Sequence, residues 1–239
     1  MASPIFSVVI PAFDEERYLP ACLAAVARAA EKLGEEVEIV VADNMSNDGT
    51  VEVAKAAGAK VVSTSIKCIS AVRNAGIKAA TGRYLVFVDA DDMMSDNMLV
   101  EIKRVMDTGR YVGGGTARVL SDRWSAGIAA TYALQIASYV FSRLSLFLFY
   151  TTKEAAEAIG GFNEELLSSE DWDFAHRLKK HGRTKGLRYH NMWCASVTKS
   201  ARKFDEFGDW FIFLNPVHII RAVFNDRDAV YDLWYRPRR

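Results

Sequence analysis

The sequence predicts an α/β protein with a mixed, mostly parallel sheet flanked by helices, and three observations indicate it. The first half alternates short apolar runs with amphipathic helical patterns, which is typical of βαβ units. Residues 84–88 form a continuous apolar run, as expected of a strand buried on both faces. This run leads directly into Asp89, Asp91 and Asp92, and ligands bind beyond the carboxyl ends of strands in such sheets.

Strands and helices alternate through the first half. Strands are predicted at residues 6–10, 37–42, 60–63 and 84–88. Helices are predicted at residues 14–33, 50–57 and 70–80, and glycines at 58 and 82 follow the last two.

The second half is less regular. The pattern predicts helices at residues 95–106, 126–143 and 168–180, and a strand at residues 111–120. We expect the apolar stretch at residues 128–150 to form a buried helix followed by a strand, because Arg143 argues against a membrane span. Three glycines at 113–115 suggest a bulge or a close approach of the backbone to a ligand. The last forty residues are rich in aromatics and are expected to be helical.

The composition excludes several classes of function. The chain has 239 residues, with 30 basic and 30 acidic side chains and no basic stripe, so nothing indicates nucleic-acid binding. Cys22, Cys68 and Cys194 lack metal-ligand spacing and indicate a reduced, cytoplasmic protein. The first residues run directly into a strand without a signal-peptide pattern.

Acidic residues gather where the predicted strands end. Asp43 ends the second strand, and Asp89 and Asp91 follow the fourth. In extended geometry, side chains two residues apart point the same way, so Asp89 and Asp91 would repel each other without a cation. Oxygen ligands of this kind suit Mg²⁺ or Mn²⁺, which often also bind substrate phosphates. Acids at strand ends are also ordinary turn and cap residues, and that alternative stays open for these residues.

Five motifs in order resemble a known family. They are Val-Val-Ile-Pro-Ala-Phe-Asp-Glu at 8–15, Val-Ala-Asp-Asn-Met-Ser-Asn-Asp-Gly-Thr at 41–50, Arg-Asn-Ala-Gly at 73–76, Val-Asp-Ala-Asp-Asp at 88–92, and Ile-Gly-Gly-Phe-Asn-Glu at 159–164 followed by Glu-Asp-Trp-Asp at 170–173. The chain resembles a family 2 glycosyltransferase of the GT-A fold over about residues 5 to 182. Met45 and Asn47 depart from the usual motif, in which Gly and Thr are frequent.

The resemblance implies a donor site. Pro11, Ala12 and Asp14 would line the nucleotide pocket, and Asp43 would accept the ring N–H of uracil, thymine or guanine. The expected donors are therefore UDP-, dTDP- or GDP-sugars. A purely structural role for Asp43 in the following turn is the alternative.

The resemblance also implies a metal and phosphate contacts. Asp91 would bind Mn²⁺ or Mg²⁺ directly, and Asp89 would contact the ribose or the metal through water. His190 is the candidate for a further metal ligand, as in some relatives, and a structural hydrogen bond is its alternative role. Arg73 and Arg202 could reach the diphosphate. The alternative for Arg73 is an ordinary solvated or salt-bridged arginine, and the alternative for Arg202 is a solvated helix start.

Asp171 is the implied general base, with Glu170 as its orienting partner and Trp172 covering it. In an inverting transfer, one carboxylate must take the proton of the attacking hydroxyl. Ser168 and Ser169 before it also resemble a helix cap, and a helix N-terminus would lower the pKa of Asp171. Burial under Trp172 and the acceptor could offset that effect.

We therefore expect an inverting glycosyltransferase whose acceptor is a hydroxyl on a saccharide or a lipid-linked molecule. The expected organisation is a GT-A domain at residues 1–200, with a nucleotide-sugar half at 5–110 and an acceptor half at 111–200, then a helical extension at 201–239. A nucleotidyltransferase and a nucleotide-binding module without turnover are the alternatives. A processive synthase is disfavoured because no Gln-x-x-Arg-Trp motif is present. Aromatic and basic residues near the C-terminus are compatible with peripheral contact at the inner face of a membrane.

Overall fold

The computed structural model describes residues 4–145 and 147–234. Eight strands form one sheet in the order β3-β2-β1-β4-β7-β6-β8-β5. The strands are β1 Phe6–Ala12, β2 Val37–Asp43, β3 Lys60–Ser63, β4 Tyr84–Phe87, β5 Met93–Met94, β6 Tyr111–Ser121, β7 Phe147–Thr152 and β8 Arg188–Lys199.

Helices lie between and after these strands. They are α1 Leu19–Leu33, α2 Thr50–Ala56, α3 Ile69–Ala79, α4 Met98–Met106, α5 Ala126–Ser142, α6 Lys153–Ala158, α7 Glu170–Thr184, α8 Arg202–Phe207, α9 Phe211–Leu214, α10 Pro216–Val223 and α11 Arg227–Trp234. Within the described ranges, no helix combines the length and the apolar content that crossing a bilayer requires.

The predicted fold class is confirmed. The first four strands in this order, β3, β2, β1 and β4, run parallel to one another. β7 is antiparallel to its neighbours β4 and β6, and β6 and β8 are parallel to each other. Alternate residues of β1 enter different layers, with Val8 packing in one buried cluster and Val9 in the other. This alternation explains why the core strands read as nearly continuous apolar runs.

The carboxyl ends of the parallel strands bring the first acidic residues together. Ala12 pairs with Asp43 across β1 and β2, so Pro11, Ala12 and Asp43 lie at one edge. β4 lies on the other side of β1 and ends just before the loop that carries Asp89. These acidic residues therefore lie beyond the carboxyl ends of the strands, where ligands bind in such sheets.

The bulge expected at the three glycines is confirmed. The three glycines at 113–115 permit close strand packing, because a Cβ on Gly114 would lie 2.0 Å from the His190 carbonyl oxygen. A register shift does occur between Gly115 and Thr116, as a bulge requires, but the close approach is to neighbouring strands.

Helix α5 is not the buried helix that its apolar sequence predicted. Ile128 and Thr131 near its start are buried, whereas Leu134 and Ile136 are 54% and 53% exposed. Here the packing involves the first turns of the helix, and Leu134 and Ile136 face solvent. The strand expected after it is present as β7.

Candidate functional site

Asp14 and Asp43 hold the loop that follows β2. The Asp43 carboxylate accepts hydrogen bonds from the backbone N–H groups of Met45 at 3.1 Å and Ser46 at 3.2 Å. Asp14 accepts one from the backbone N–H of Asn47 at 2.7 Å and donates its own N–H to the Ser46 hydroxyl. Both acids therefore shape the loop beside the strand ends, which is the turn role that the residue types allow.

Arg73 occupies the centre of the site. It lies on α3 and is 5% exposed. Its Nη1 donates to Asp171 at 2.7 Å and to Glu170 at 3.1 Å, while Nη2 donates to Asp89 at 2.9 Å. Its guanidinium carbon also lies 5.1 Å from the centre of the Phe162 ring. One buried cation thus links the loop after β4 to the first turn of α7.

The charges in this group shift one another strongly. Although burial opposes its positive charge, Asp171, Asp89 and Glu170 together raise the pKa of Arg73. Burial likewise opposes ionisation of Asp89, but Lys199 and Arg73 lower the pKa of that carboxyl below its usual range. Asp89 is therefore held as a carboxylate near neutral pH.

Lys199, the last residue of β8, is a second cation in the site. Its Nζ donates to Asp92 at 2.8 Å and to Asp89 at 3.2 Å. Burial raises the pKa of Asp92, Lys199 opposes that shift, and Asp89 and Asp91 add to it. The ammonium group therefore offsets repulsion among carboxylates that follow a single strand.

Arg202 at the start of α8 is the third cation. Its Nη1 donates to Glu15 at 2.8 Å, and its Nε forms an ion pair with Asp91 at 2.7 Å. The Arg202 guanidinium also lies 5.1 Å from the Tyr18 ring centre. In this arrangement the expected metal-binding carboxylate and the expected phosphate-binding arginine contact each other.

Glu170 and Asp171 form the end of the group at the first turn of α7. Burial is the main cause that raises the pKa of Glu170 to about 7, and the negative charge of Asp171 adds to it. Burial also raises the pKa of Asp171, with Arg73 opposing the shift. A raised pKa favours proton uptake from a hydroxyl, so burial outweighs the helix N-terminus here.

The surroundings of these two acids differ from the sequence-based expectation. Trp172 is 47% exposed and stacks on His176, with 5.1 Å between ring centres. Ser169 makes no side-chain cap to α7, and its hydroxyl instead donates to the backbone oxygen of Val223. The capping-box interpretation of Ser169 is therefore wrong, because that hydroxyl ties α7 to α10.

The structure does not bring His190 to Asp91. His190 lies nine residues before Lys199 on β8, which corresponds to roughly 30 Å of extended strand. Its Nδ1 shares a hydrogen bond with the Tyr150 hydroxyl at 2.5 Å, and its ring packs against Tyr111. Burial lowers the pKa of His190, which favours the neutral ring.

The remaining residues fit a divalent cation bound together with a phosphate-bearing ligand. Over residues 4–145 and 147–234, no group of three or more His, Cys, Asp and Glu side chains is arranged to hold a metal. Asp89 and Asp91 supply hard oxygen ligands, however, and the buried Oδ1 of Asp92 has no hydrogen-bond partner. The carboxylates in the network outnumber its cations. They are Glu15, Asp89, Asp91, Asp92, Glu170 and Asp171, against Arg73, Lys199 and Arg202. A pair of carboxylates completed by substrate phosphates is the usual Mg²⁺ arrangement.

Sequence reasoning did not predict that Lys199, Asp92 and Glu15 belong to the ion-pair network of the site. Lys199 was visible only as one residue of a basic segment, because its contact with Asp92 joins positions 107 residues apart. Glu15 was visible as a motif residue, but its partner Arg202 is 187 positions away. No spacing signal connects residues at such distances.

Comparison with known proteins identifies the family to which this chain is similar. A family model described as "Glycosyl transferase family 2" matches residues 7–168. An uncharacterized glycosyltransferase of Mycobacterium tuberculosis is 31% identical over 142 residues, which cover 59% of this chain and 60% of the relative. An undecaprenyl-phosphate 4-deoxy-4-formamido-L-arabinose transferase of Aeromonas hydrophila is 32% identical over 131 residues, covering 50% of this chain and 39% of that protein. The matches thus cover less than two thirds of the length of each relative.

Solved structures share the fold at low identity. S. aureus TarS residues 1–349 in complex with UDP-GlcNAc superimpose with a TM-score of 0.63 at 17% identity, covering 95% of this chain and 72% of that one. A mannosyltransferase from Pyrobaculum calidifontis in complex with GDP-Man and Mn²⁺ gives a TM-score of 0.64 at 14% identity, covering 100% of this chain and 77% of that one.

Proposed function

This chain belongs to glycosyl transferase family 2, and we propose that it transfers a sugar from a nucleoside diphosphate donor to an acceptor hydroxyl. The observation that carries the proposal is the bridge formed by Arg73. Arg73 donates hydrogen bonds to both Asp89 and Asp171 and so holds them in a fixed relative position. Asp89 lies at the strand ends, where nucleotides bind in such sheets, and Asp171 lies at the start of α7. A transferase needs these two groups at a fixed separation, because the donor and the acceptor must meet between them.

The proposed donors are UDP-, dTDP- or GDP-sugars. Pro11, Ala12 and Asp43 lie side by side at the ends of β1 and β2, where the base would sit. The complexes of similar folds with UDP-GlcNAc and with GDP-Man support this class of donor.

Asp91 and Asp89 would hold Mn²⁺ or Mg²⁺ together with the donor diphosphate. When bound, the ion supplies Lewis-acid neutralisation of the leaving diphosphate. Arg202 lies against Asp91 and Lys199 against Asp89, so both cations are close enough to contact phosphate oxygens at the same place.

Asp171 is the proposed general base. The acceptor oxygen attacks the anomeric carbon on the face opposite the diphosphate, the bond to the diphosphate oxygen breaks, and the hydroxyl proton passes to Asp171. The product is therefore inverted at the anomeric carbon. Glu170 shares Arg73 with Asp171 and is proposed to orient it.

The proposed acceptor is a hydroxyl on a saccharide or on a lipid-linked glycan. We place the reaction in the cytoplasm, with peripheral contact at the inner face of a membrane through the C-terminal helices. The support is that large apolar side chains of α9 and α10 face solvent.

The experiment is a thermal-shift series with UDP, dTDP, GDP, CDP and ADP, each with and without Mn²⁺. A ligand at about 100 times its dissociation constant adds about 2.7 kcal/mol to the free energy of unfolding. We expect one uracil, thymine or guanine nucleotide to shift the melting temperature in a metal-dependent way. Asp91→Asn should remove the metal dependence, whereas Asp96→Asn, an exposed residue paired with Arg28, should keep it.

A shift with CDP or ADP alone would contradict the base assignment. Incubation with the matching nucleotide-sugar then separates the alternatives. Release of a nucleoside diphosphate indicates sugar transfer or donor hydrolysis. Consumption of added pyrophosphate, with formation of a nucleoside triphosphate and a sugar 1-phosphate, indicates a nucleotidyltransferase. Binding without any product indicates a module without turnover.

A further inference from the structure

The segment between β6 and α5 carries an exposed indole ring on a fixed backbone. Trp124 is 54% exposed. Two residues before it, the Asp122 carboxylate accepts a hydrogen bond from the backbone N–H of Ala201 at 2.9 Å. Directly before it, Arg123 forms an ion pair with Asp209 at 2.7 Å. Surface loops are normally the more mobile parts of a chain, whereas the backbone that leads to this ring is held by two contacts.

The ring itself rests on the first turns of α5. Trp124 packs against Tyr132, with 5.4 Å between ring centres and a tilt of 54°. Ser125 caps α5, because its side chain accepts a hydrogen bond from the backbone N–H of Ile128 at 3.2 Å. The indole therefore has a packed neighbour on one side and is open to solvent on another. A ligand that stacks on it loses little free energy to ordering of the protein.

This ring lies at the same edge of the sheet as the candidate site. Ser121 and Lys199 pair at the ends of β6 and β8, and the backbone N–H of Asp122 donates to the Lys199 carbonyl oxygen at 3.2 Å. The Lys199 side chain in turn contacts Asp89 at 3.2 Å. In the strand order, β1 and β2 lie on one side of β4, and β6 and β8 lie on the other. Trp124 therefore follows a strand on the far side of β4 from the proposed base pocket.

Polar groups lie beside the two rings. Burial raises the pKa of the Tyr132 hydroxyl, and the charge of Lys199 opposes this rise. The charges of Asp92 and Asp122 add to it, so the hydroxyl lies near both the ion-pair network and the Asp122 carboxylate. A purely apolar partner would cover these polar groups without pairing them, which costs free energy.

A pyranose ring matches both properties of this surface. One face of a pyranose presents C–H groups, which pack against an aromatic face, and its rim carries hydroxyls that form hydrogen bonds. Sites for such ligands combine aromatic side chains with a few placed polar groups. The indole of Trp124 provides the face, and Tyr132 and Asp122 provide polar groups next to it.

We propose that Trp124, supported by Tyr132, stacks on a pyranose ring of the acceptor. The ring lies beyond Asp89 as seen from the base pocket, where the acceptor would meet the donor sugar. The acceptor is then a glycan, as opposed to a molecule whose only reactive group is a lipid alcohol or phosphate. Its assignment as acceptor rests on the proposed transfer function, whereas binding of a pyranose does not.

The test is saturation-transfer difference NMR of the full chain with the methyl pyranosides of glucose, galactose, mannose, rhamnose and N-acetylglucosamine. Each spectrum is recorded alone and with UDP or GDP plus Mn²⁺. We expect at least one glycoside to receive saturation, most strongly at the C–H protons of one ring face. Cyclohexanol, a ring of similar size with a single hydroxyl, should give a weaker signal.

The variants separate stacking from a general structural role. Trp124→Ala should reduce the glycoside signal at least about fivefold, because one aromatic stacking contact is lost. Trp124→Phe should keep part of the signal, since an aromatic face remains. The matched control is Trp193→Ala, which should behave like the wild type. Trp193 is 51% exposed and packs on Tyr139 of the same helix, but it lies six positions before Lys199, roughly 20 Å along β8.

Four results overturn the proposal. They are no saturation transfer to any glycoside, equal signals from the wild type and Trp124→Ala, an equal loss in Trp193→Ala, and cyclohexanol binding as strongly as the glycosides. The donor sugar is tested separately with UDP-GlcNAc and GDP-mannose. If Trp124→Ala weakens binding of these sugar nucleotides more than binding of UDP or GDP, the donor sugar occupies the ring and the acceptor assignment fails.

Nucleotide thermal shifts on the same samples keep this test separate from the proposed function. A variant that loses the glycoside signal but keeps its nucleotide shift is folded. A nucleotide shift without any glycoside signal contradicts only the stacking proposal. A glycoside signal that depends on Trp124, without any nucleotide shift, contradicts only the transferase proposal.

Discussion

Lys199 and Asp92 form a largely buried ion pair with 2.8 Å between Nζ and Oδ2, joining the end of β8 to the loop after β4. The side chain of Asp92 is only 5% exposed, so its carboxylate depends on this partner. The pair therefore links the two halves of the sheet at the edge where the candidate site lies.

Replacing Lys199 with methionine should lower the free energy of unfolding by about 3 kcal/mol, because a buried carboxylate loses its cation. Urea unfolding at neutral pH measures the change. Lys180→Met, at an exposed position of α7, should stay within about 0.5 kcal/mol of the wild type. If Asp92→Asn in the Lys199→Met background costs as much as it does alone, the two residues are not coupled.

Asp171→Asn should reduce kcat by about 10² to 10⁴, because the acceptor hydroxyl loses its proton acceptor. Nucleotide affinity should change little, since the donor end of the site keeps Asp89 and Asp91. The control is Asp173→Asn, which lies two residues after Asp171 on the same helix and pairs with Arg177. Similar turnover in Asp171→Asn and Asp173→Asn would eliminate Asp171 as the base.

The pH dependence of kcat/KM should show the ionisation of the coupled carboxyl groups of Glu170 and Asp171. A base works in its ionised form, so activity is lost as the pH falls through its pKa. Burial raises the pKa of Glu170 to about 7 and also raises that of Asp171, so the acid limb should lie above the ordinary aspartate range. Glu170→Gln removes a neighbouring negative charge and should move the limb of Asp171 to lower pH. An acid limb that does not move would show that the two carboxyls are not coupled in turnover.

Arg202→Met should separate metal binding from nucleotide binding. Asp91 loses its arginine partner, so Mn²⁺ alone should bind about tenfold more tightly, a gain of about 1.4 kcal/mol. The diphosphate loses a cation, so the nucleotide should bind about tenfold more weakly. Calorimetry measures both constants, and Arg17→Met is the control because Arg17 also lies beside Tyr18. Weaker binding of both ligands contradicts the proposed competition for Asp91.

Much of the parallel half could be predicted from local signals. Apolar runs placed β1, β2, β3 and β4 to within about two residues, and the acidic residues after them marked the site. The second half was harder, because α5 has an apolar sequence but an exposed face, and the three glycines allow close packing against β7 and β8. A sequence pattern shows that a face is apolar, but it does not show which surface covers it.

The sequence by itself determined the fold class, the family and the positions of Asp43, Asp89 and Asp91 at strand ends, because hydrophobic periodicity and short motifs are local properties of the chain. Tertiary structure alone decided which cations meet these acids. Arg73 reaches Asp89 across 16 residues of chain and Arg202 reaches Glu15 across 187, whereas His190, on the same strand as Lys199, contacts Tyr150 instead. Ion pairs within a few ångströms depend on how distant segments of the chain pack against each other. Local sequence patterns do not show this packing.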